Sequence, residues 1–159
     1  MAGLFSQEMI VVILGATPVS ELRGAIPLAI GQFKFTIAKA MTLSIIGNLL
    51  PVLPLLFFLE RITKYLMRYP FWSRFFIWWF ERTKKHSEII EQYEAIGLLI
   101  FVGIPLPATG AWTGCVAAYL LGMKKRYAFP AIAGGVLMAA VIVTLVTQGI
   151  LGSLTLFVK

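Results

Sequence analysis

Two of the four apolar stretches in this chain are interrupted near their middles by prolines and polar residues. The stretch at 9–30 contains TPVSELRG from Thr17, and the stretch at 95–122 contains GIPLPATG from Gly103. Proline lacks an amide donor, crowds the carbonyl four residues earlier, and disfavours helical geometry in the residue before it. Both stretches are therefore predicted to break. The residues predicted to break them are Pro18, Pro27, Pro105, Pro107 and Gly110.

The stretches at 36–59 and 128–150 each match the roughly 20 residues that a membrane-spanning helix needs. Hydrophobic residues make up 59% of the 159 residues and aspartate is absent. An average globular domain has only roughly 45 to 50% apolar residues. The chain is therefore predicted to be an all-α integral membrane protein that forms one domain over residues 1–159.

The two broken stretches are too short on either side of the break to cross a bilayer. Each leg has roughly 9 to 13 residues, which at about 1.5 Å per residue reaches about halfway through a hydrocarbon core of roughly 30 Å. We therefore predict two re-entrant helical hairpins, hairpin 1 at 9–30 and hairpin 2 at 95–122. They enter from opposite faces, which is the arrangement of an inverted repeat.

The distribution of loop cations favours this topology, because cytoplasmic loops are enriched in Lys and Arg. Re-entry of both hairpins divides the loop cations ten to three across the membrane, whereas full crossing divides them eight to five. The ten residues on the predicted cytoplasmic side are Arg61, Lys64, Arg68, Arg74, Arg82, Lys84, Lys85, Lys124, Lys125 and Arg126.

The segment at 60–94 mixes bulky aromatic residues with Arg and Lys, as in YPFWSRFFIWWFERTKK. Segments of this kind lie in the headgroup layer with their rings toward the membrane and their cations outward. We predict an interfacial amphipathic segment here. A contact between two copies of the chain is the alternative role for the rings.

Two charged residues, Glu21 and Arg23, lie at the predicted tip of hairpin 1. A charge near the membrane midplane costs roughly 2.5 to 3.5 kcal/mol or more, so such residues are functional candidates by default. Residues two apart point to different sides of a helix, so each is predicted to have its own partner on hairpin 2, in a water-filled cavity or in a ligand. A buried ion pair with a structural role is the alternative.

The residues around Arg23 are predicted to bind an anionic or polar headgroup. Thr17-Pro18 suits the start of the second leg, because a hydroxyl can cap a helix and proline is tolerated at its first position. Helix N-termini and guanidinium groups both attract phosphate. We therefore predict that Thr17, Ser20 and Arg23 bind substrate, and that Glu21 accepts a proton and couples transport to it.

The second break has no charge and begins the series Gly110, Gly114, Ala118 and Gly122, which favours close helix packing. The polar residues beside it are predicted to complete the substrate site, with hydroxyls from two threonines and an aromatic wall. These residues are Thr109, Thr113 and Trp112. Asn48, within 36–59, is explained by hydrogen bonding between helices.

Motifs of enzymes are absent from the sequence: it has no His or Cys cluster spaced for a metal and no phosphate-binding glycine loop. We predict no enzymatic activity, no metal site and no cofactor. The net charge of +7 lies in loops beside apolar stretches, where anionic lipids are nearer partners than nucleic acid.

With both breaks in view, the chain resembles the small multidrug export protein family, a group related to the wider DedA superfamily. The matching segments are ELRGAIP (Glu21–Pro27), PLPATGAWTG (Pro105–Gly114) and LGM (Leu121–Met123). The resemblance covers nearly the whole chain and implies opposed re-entrant hairpins, an integral membrane location and homodimers. We predict that the protein lies in the plasma membrane of a prokaryote. DedA-type members are implicated in proton-linked movement of polyprenyl-phosphate carriers or other lipids, and in drug tolerance.

The chain departs from the DedA pattern in hairpin 2, where DedA proteins have arginines and this chain reads FVGIPLPATGAW. Arg23 is then the only cation within the hairpins. We predict a proton-coupled secondary transporter of an amphipathic or lipid-like substrate, either a polyprenyl-phosphate or lipid flippase or a small multidrug exporter. The alternatives are a membrane scaffold or assembly factor that transports nothing, and an ion channel.

Overall fold

The computed structural model describes residues 6–83, 88–106 and 109–157. Helices make up most of these residues, and no strand occurs within the described ranges, so the all-α prediction is confirmed. In chain order the helices are α1 (Gln7–Ala16), α2 (Glu21–Gly31), α3 (Ile37–Leu49), α4 (Val52–Leu66), α5 (Pro70–Thr83), α6 (Glu88–Gly103), α7 (Ala111–Leu120) and α8 (Lys125–Phe157).

Hairpin 1 consists of α1 and α2, which pack against each other. α1 begins after Ser6, whose hydroxyl accepts a hydrogen bond from the Met9 amide at 3.3 Å, as an N-cap does. It ends at Ala16 because the next residue precedes Pro18 and is extended. α2 starts at Glu21 and ends at Gly31.

Pro27 lies inside α2, so the prediction that it breaks hairpin 1 is wrong. Proline removes one amide from the helix, but the turns on either side keep their own hydrogen bonds. Helices of membrane proteins tolerate proline in this way when neighbouring groups satisfy the freed carbonyl. The break in hairpin 1 is instead confined to residues 17–20, which include Pro18.

α1 and α3 run in the same direction and are in close contact. Glu8, near the start of α1, forms an ion pair with Lys39, near the start of α3, at 2.5 Å. A Cβ atom on Gly15 would lie only 2.8 Å from the Ser44 carbonyl oxygen, and one on Gly47 would overlap the backbone of α1. Small residues allow helices to approach this closely. α2 therefore returns toward the end of the molecule where α1 and α3 begin.

The two long apolar helices predicted at 36–59 and 128–150 are present and longer than predicted. α3 and α4 are joined through Leu50 and Pro51 and together form Ile37–Tyr65, and α8 supplies Lys125–Gly152. Both are long and apolar enough to cross a membrane. Glu60 near the end of α4 contacts Lys125 at the start of α8, so these helices run in opposite directions.

Hairpin 2 consists of α6 and α7 and opens toward the opposite end from hairpin 1. A Cβ atom on Gly135 would lie 2.7 Å from the Leu99 carbonyl oxygen, and one on Gly103 would overlap Met138. α6 and α8 therefore run in the same direction from the Glu60–Lys125 end, and α7 returns to that end. Re-entry of the hairpins into a bilayer and the inverted repeat remain predictions.

The core lies where the hairpins meet the long helices. Its members include Leu22 and Ile26 of α2, Val102 of α6, Cys115 of α7 and Ile132 of α8, all almost fully buried. Side chains from every one of these helices are needed to enclose it. The core therefore packs both hairpins against α8.

The predicted interfacial segment at 60–94 contains the end of α4, all of α5 and the start of α6. Phe71, Phe75 and Trp78 of α5 are exposed. Residues 84–87 lie outside the described residues. Placement of this segment in the headgroup layer remains a prediction.

Candidate substrate-binding site

Arg23 reaches from hairpin 1 to the break in hairpin 2. Its Nη2 donates hydrogen bonds to the Thr109 carbonyl oxygen and, at 3.3 Å, to the Thr109 hydroxyl. Thr109 is itself fixed, because its hydroxyl donates to the Ile104 carbonyl at 2.6 Å and accepts from the Leu106 amide at 3.1 Å. The guanidinium group is therefore hydrogen-bonded to an uncharged residue of hairpin 2.

Glu21 reaches the same break separately from Arg23. Its carboxylate accepts a hydrogen bond from the Trp112 amide at 3.4 Å and lies against Gly110, where a Cβ atom would be 2.5 Å from the carboxyl carbon. The carboxylate thus lies at the N-terminus of α7, where the helix dipole and free amides favour negative charge. Separate partners on hairpin 2 are what the spacing of Glu21 and Arg23 predicts.

Trp112 provides a further link between the hairpin tips. Its indole Nε1 donates to the Ala16 carbonyl at 3.1 Å, which is one of the carbonyls left without a helical partner at the end of α1. The same residue donates its backbone amide to Glu21. Trp112 therefore joins both legs of hairpin 1 to hairpin 2.

Glu21 has a backbone conformation that is rare for its residue type. Its φ angle is 45°, in the left-handed region, where a side chain costs roughly 1 to 2 kcal/mol. The side chain is also only 9% exposed. Strained backbone at a buried charged residue is typical of functional sites, where the surrounding contacts fix the geometry.

A small cavity separates Glu21 and Arg23 from the long helices. Its volume is about 10 Å³, and its polar lining residues include Glu21, Arg23, Asn48 and Thr109. Asn48 is 1% exposed, and its Oδ1 has no hydrogen-bond partner among the described residues. A cavity of this size holds about one water molecule, which needs two to four polar partners. Hydrogen bonding to another helix, the sequence-based explanation of Asn48, therefore does not account for Oδ1.

Two larger cavities meet at Arg23. One of about 60 Å³ is polar, and its lining includes Ser20, Arg23, Thr109 and Thr113. The other, of about 390 Å³, is lined by Arg23 together with apolar residues such as Pro27, Val146 and Leu151. Among its described lining residues Arg23 is the one charged group. The arrangement places a cation between a polar recess and an apolar one.

The structure brings together most of the predicted site residues, namely Ser20, Glu21, Arg23, Thr109 and Thr113. Thr17 does not cap α2 as predicted; it follows the last residue of α1, and its hydroxyl donates to the Leu14 carbonyl at 2.8 Å.

The remaining predicted residues surround the breaks. Pro18 lines the polar cavity, Pro105 lines the apolar one, and Gly110 contacts Glu21. Pro107 lies outside the described residues. Within the described ranges no three His, Cys, Asp or Glu side chains are close enough together to hold a metal ion.

The two long apolar helices, and the charged Glu21 buried between short apolar helices, indicate a membrane protein. The chain belongs to the family described as "Putative small multi-drug export protein", which matches residues 21–142. The matched range begins at Glu21 and includes all of hairpin 2. No curated protein and no solved structure matches the chain. The relationship to the DedA superfamily remains a prediction.

Proposed function

We propose that this protein is a proton-coupled secondary transporter that exports an anionic amphiphile through the site between its hairpin tips. The position of Arg23 is the observation on which the proposal depends, because its side chain lines both the polar cavity and the apolar one. An anionic headgroup bound at Arg23 leaves an attached hydrocarbon chain beside Val146 and Leu151. The family description, which concerns export, is consistent with this role.

Arg23 has hydrogen-bonding capacity for a substrate. A guanidinium group has five N–H donors, and both contacts to Thr109 come from Nη2. A phosphate or carboxylate accepts two parallel hydrogen bonds from such a group. We infer that the substrate anion binds the remaining donors and the hydroxyl of Ser20, since the Thr113 hydroxyl already donates to the Gly110 carbonyl at 3.2 Å. Glu21 lines the same polar cavity, so the site is positive when Glu21 is protonated, and in that state it selects against hydrophobic cations. The proposed substrate class is therefore anionic amphiphiles such as lipid phosphates.

Glu21 is the proposed proton carrier. Its carboxylate is the acceptor for the Trp112 amide and shares the 10 Å³ cavity with the unpartnered Oδ1 of Asn48. Protonation removes the charge that the N-terminus of α7 stabilises, and so weakens the contact between hairpin tips. Proton binding at Glu21 thereby biases the two hairpins toward separation, which is the two-state element that coupled transport requires.

The lengths of the helices support re-entry of the hairpins from opposite faces. At about 1.5 Å per residue, α1, α2 and α7 are each about 15 to 17 Å long, or half of a hydrocarbon core of roughly 30 Å. The fourth helix, α6, has 16 residues and is longer, because it begins at Glu88, before the predicted start of hairpin 2 at 95. The hairpin tips then lie near the midplane, where transporters place substrate sites between repeats. We propose that a homodimer in the plasma membrane of a prokaryote is the working form.

The experiment uses purified full-length protein in liposomes that contain fluorescent phosphatidic acid or, separately, ethidium as a cationic probe. An imposed pH gradient is expected to drive phosphatidic acid between leaflets and to leave ethidium unmoved. Arg23→Gln and Glu21→Gln are each expected to abolish this movement, whereas Arg61→Gln, an exposed charge outside the cavities described above, is expected to retain it.

A scaffold or assembly factor is the competing class of function, because three hydrogen-bonding residues join the hairpin tips and the cavities between them are small. Wild-type rates of lipid movement in both Arg23→Gln and Glu21→Gln, with both variants folded, remove these residues from the mechanism. A conductance without coupling to the pH gradient assigns the protein to channels instead.

A further inference from the structure

The largest described cavity lies at the other end of the molecule from the opening of hairpin 1, away from Arg23. It is an open cleft with a volume of about 690 Å³, lined by the end of α4, the end of α7 and the start of α8. A volume between 300 and 1,000 Å³ is typical of small-molecule sites. We propose that this cavity binds the headgroup of an anionic phospholipid, at a site separate from the proposed transport site.

The charge of the lining favours an anion. Among the described lining residues four are cations, namely Lys64, Lys124, Lys125 and Arg126, and one is a carboxylate, Glu60. Basic pockets between membrane-spanning helices bind the phosphates of lipid headgroups. The described lining is therefore mainly basic, which favours an anion such as a phosphodiester.

Glu60 partly neutralises two of these cations. Its carboxylate forms ion pairs with Lys64 at 3.2 Å and with Lys125. Lys125 also lies over the Phe57 ring, with Nζ 4.1 Å from the ring centre, which adds a cation–π contact. The two ammonium groups are thereby held on the α4 and α8 sides of the same opening.

The apolar part of the lining favours a lipid over a free anion. Leu56 and Met123 are buried in the cavity wall, and Met67 also lines the cavity. Lys125 is also the first residue of the long apolar segment of α8. Glu60 lies five residues before the end of the long apolar segment that α3 and α4 form together. Helix ends of this kind lie at the level of the headgroups when a helix spans a bilayer. A lipid then places its phosphate at the cations and its chains along the exposed Phe57 and Phe58.

The test measures binding of phosphatidylglycerol to purified full-length protein in detergent, with phosphatidylcholine of the same chains and inorganic phosphate as parallel ligands. We expect phosphatidylglycerol to bind and raise the melting temperature, and the two other ligands to do so much less. The double variant Lys124→Gln with Arg126→Gln is expected to lower the affinity for phosphatidylglycerol about tenfold, because each Lys or Arg near an anionic lipid surface contributes to the binding free energy. The matched control is Arg61→Gln with Arg68→Gln, which removes one exposed charge within α4 and one just after it, neither of which lines the cavity. This variant is expected to bind phosphatidylglycerol as wild type does.

A second variant is expected to change the affinity for phosphatidylglycerol in the opposite direction. Glu60→Gln removes the carboxylate from the lining, so phosphatidylglycerol is expected to bind as tightly as wild type or more tightly. Equal binding of the two lipids, equal loss in the control and cavity variants, or weaker binding by Glu60→Gln contradicts a lipid site. Binding of inorganic phosphate with the affinity of phosphatidylglycerol assigns the cavity to free anions and overturns the lipid proposal.

Discussion

The carboxylate of Glu21 lies against the Cα atom of Gly110, across the gap between the two hairpins. No larger residue fits at position 110 without displacing Glu21. The backbone of Gly110 is extended and is accessible to any residue, so the space taken by Glu21, and not the conformation, explains the glycine. A glycine in a broken apolar stretch is therefore paired with a glutamate 89 positions earlier (110 − 21).

Gly110→Ala is expected to destabilise the protein and to disturb the site at once. The added methyl group overlaps the Glu21 carboxylate, and overpacking of this kind costs about 1 to 3 kcal/mol. Thermal unfolding in detergent measures the loss of stability, and the liposome assay measures the loss of transport. Gly149→Ala is the control, because a Cβ atom there meets nothing within 4 Å. Equal melting temperatures for the two variants contradict the packing of Glu21 against Gly110.

Trp112→Phe is expected to loosen the hairpin tips without emptying the space of the ring. The change removes the Nε1 donor from the half-buried Ala16 carbonyl, at a cost of about 1 kcal/mol for one hydrogen bond. Hydrogen exchange of the amides at 17–24 is expected to accelerate. Trp78→Phe, in the exposed part of α5, is the control. Unchanged exchange at 17–24 shows that the indole does not hold the tip.

Gly47→Ala tests the contact between α1 and α3. The new Cβ atom overlaps the Val12 backbone, which cannot move aside as a flexible side chain does. We expect a lower melting temperature, because α1 must separate from α3. Gly97→Ala is the matched control, since a Cβ atom at that helical position meets nothing within 4 Å and alanine favours helix by up to about 1 kcal/mol. A variant at position 47 as stable as the one at position 97 contradicts the close crossing.

Much of this architecture is predictable from the sequence, because hydrophobic length and proline position act locally. The breaks near Pro18 and Pro105, the two long helices, and the need for separate partners at Glu21 and Arg23 all follow from such patterns. Pro27 shows the limit of proline as a signal, because α2 continues through it. Whether a helix survives proline depends on surrounding helices, which local sequence does not describe.

The identity of the partners is the part that the sequence does not contain. Nothing local distinguishes Asn48 from an ordinary bridge between helices, yet its Oδ1 lines the same small cavity as Glu21. The link between Trp112 and Ala16 likewise spans 96 positions and depends on how the hairpins meet. Long-range pairs of this kind are set by tertiary packing. The apolar cavity at Arg23 has the same origin, since α8 supplies most of its wall.

The proposed transport site requires that the two hairpins enter the membrane from its opposite faces and meet at their tips. Single cysteines are placed at Gln32, which follows α2, and at Lys124, which precedes α8. They are labelled with a membrane-impermeant maleimide in sealed vesicles of each orientation. Both positions are exposed, whereas the native Cys115 is fully buried. If the hairpins enter from opposite faces, we expect the maleimide to label one of the two cysteines in vesicles of one orientation and the other cysteine in vesicles of the opposite orientation. Labelling of both from the same side contradicts it.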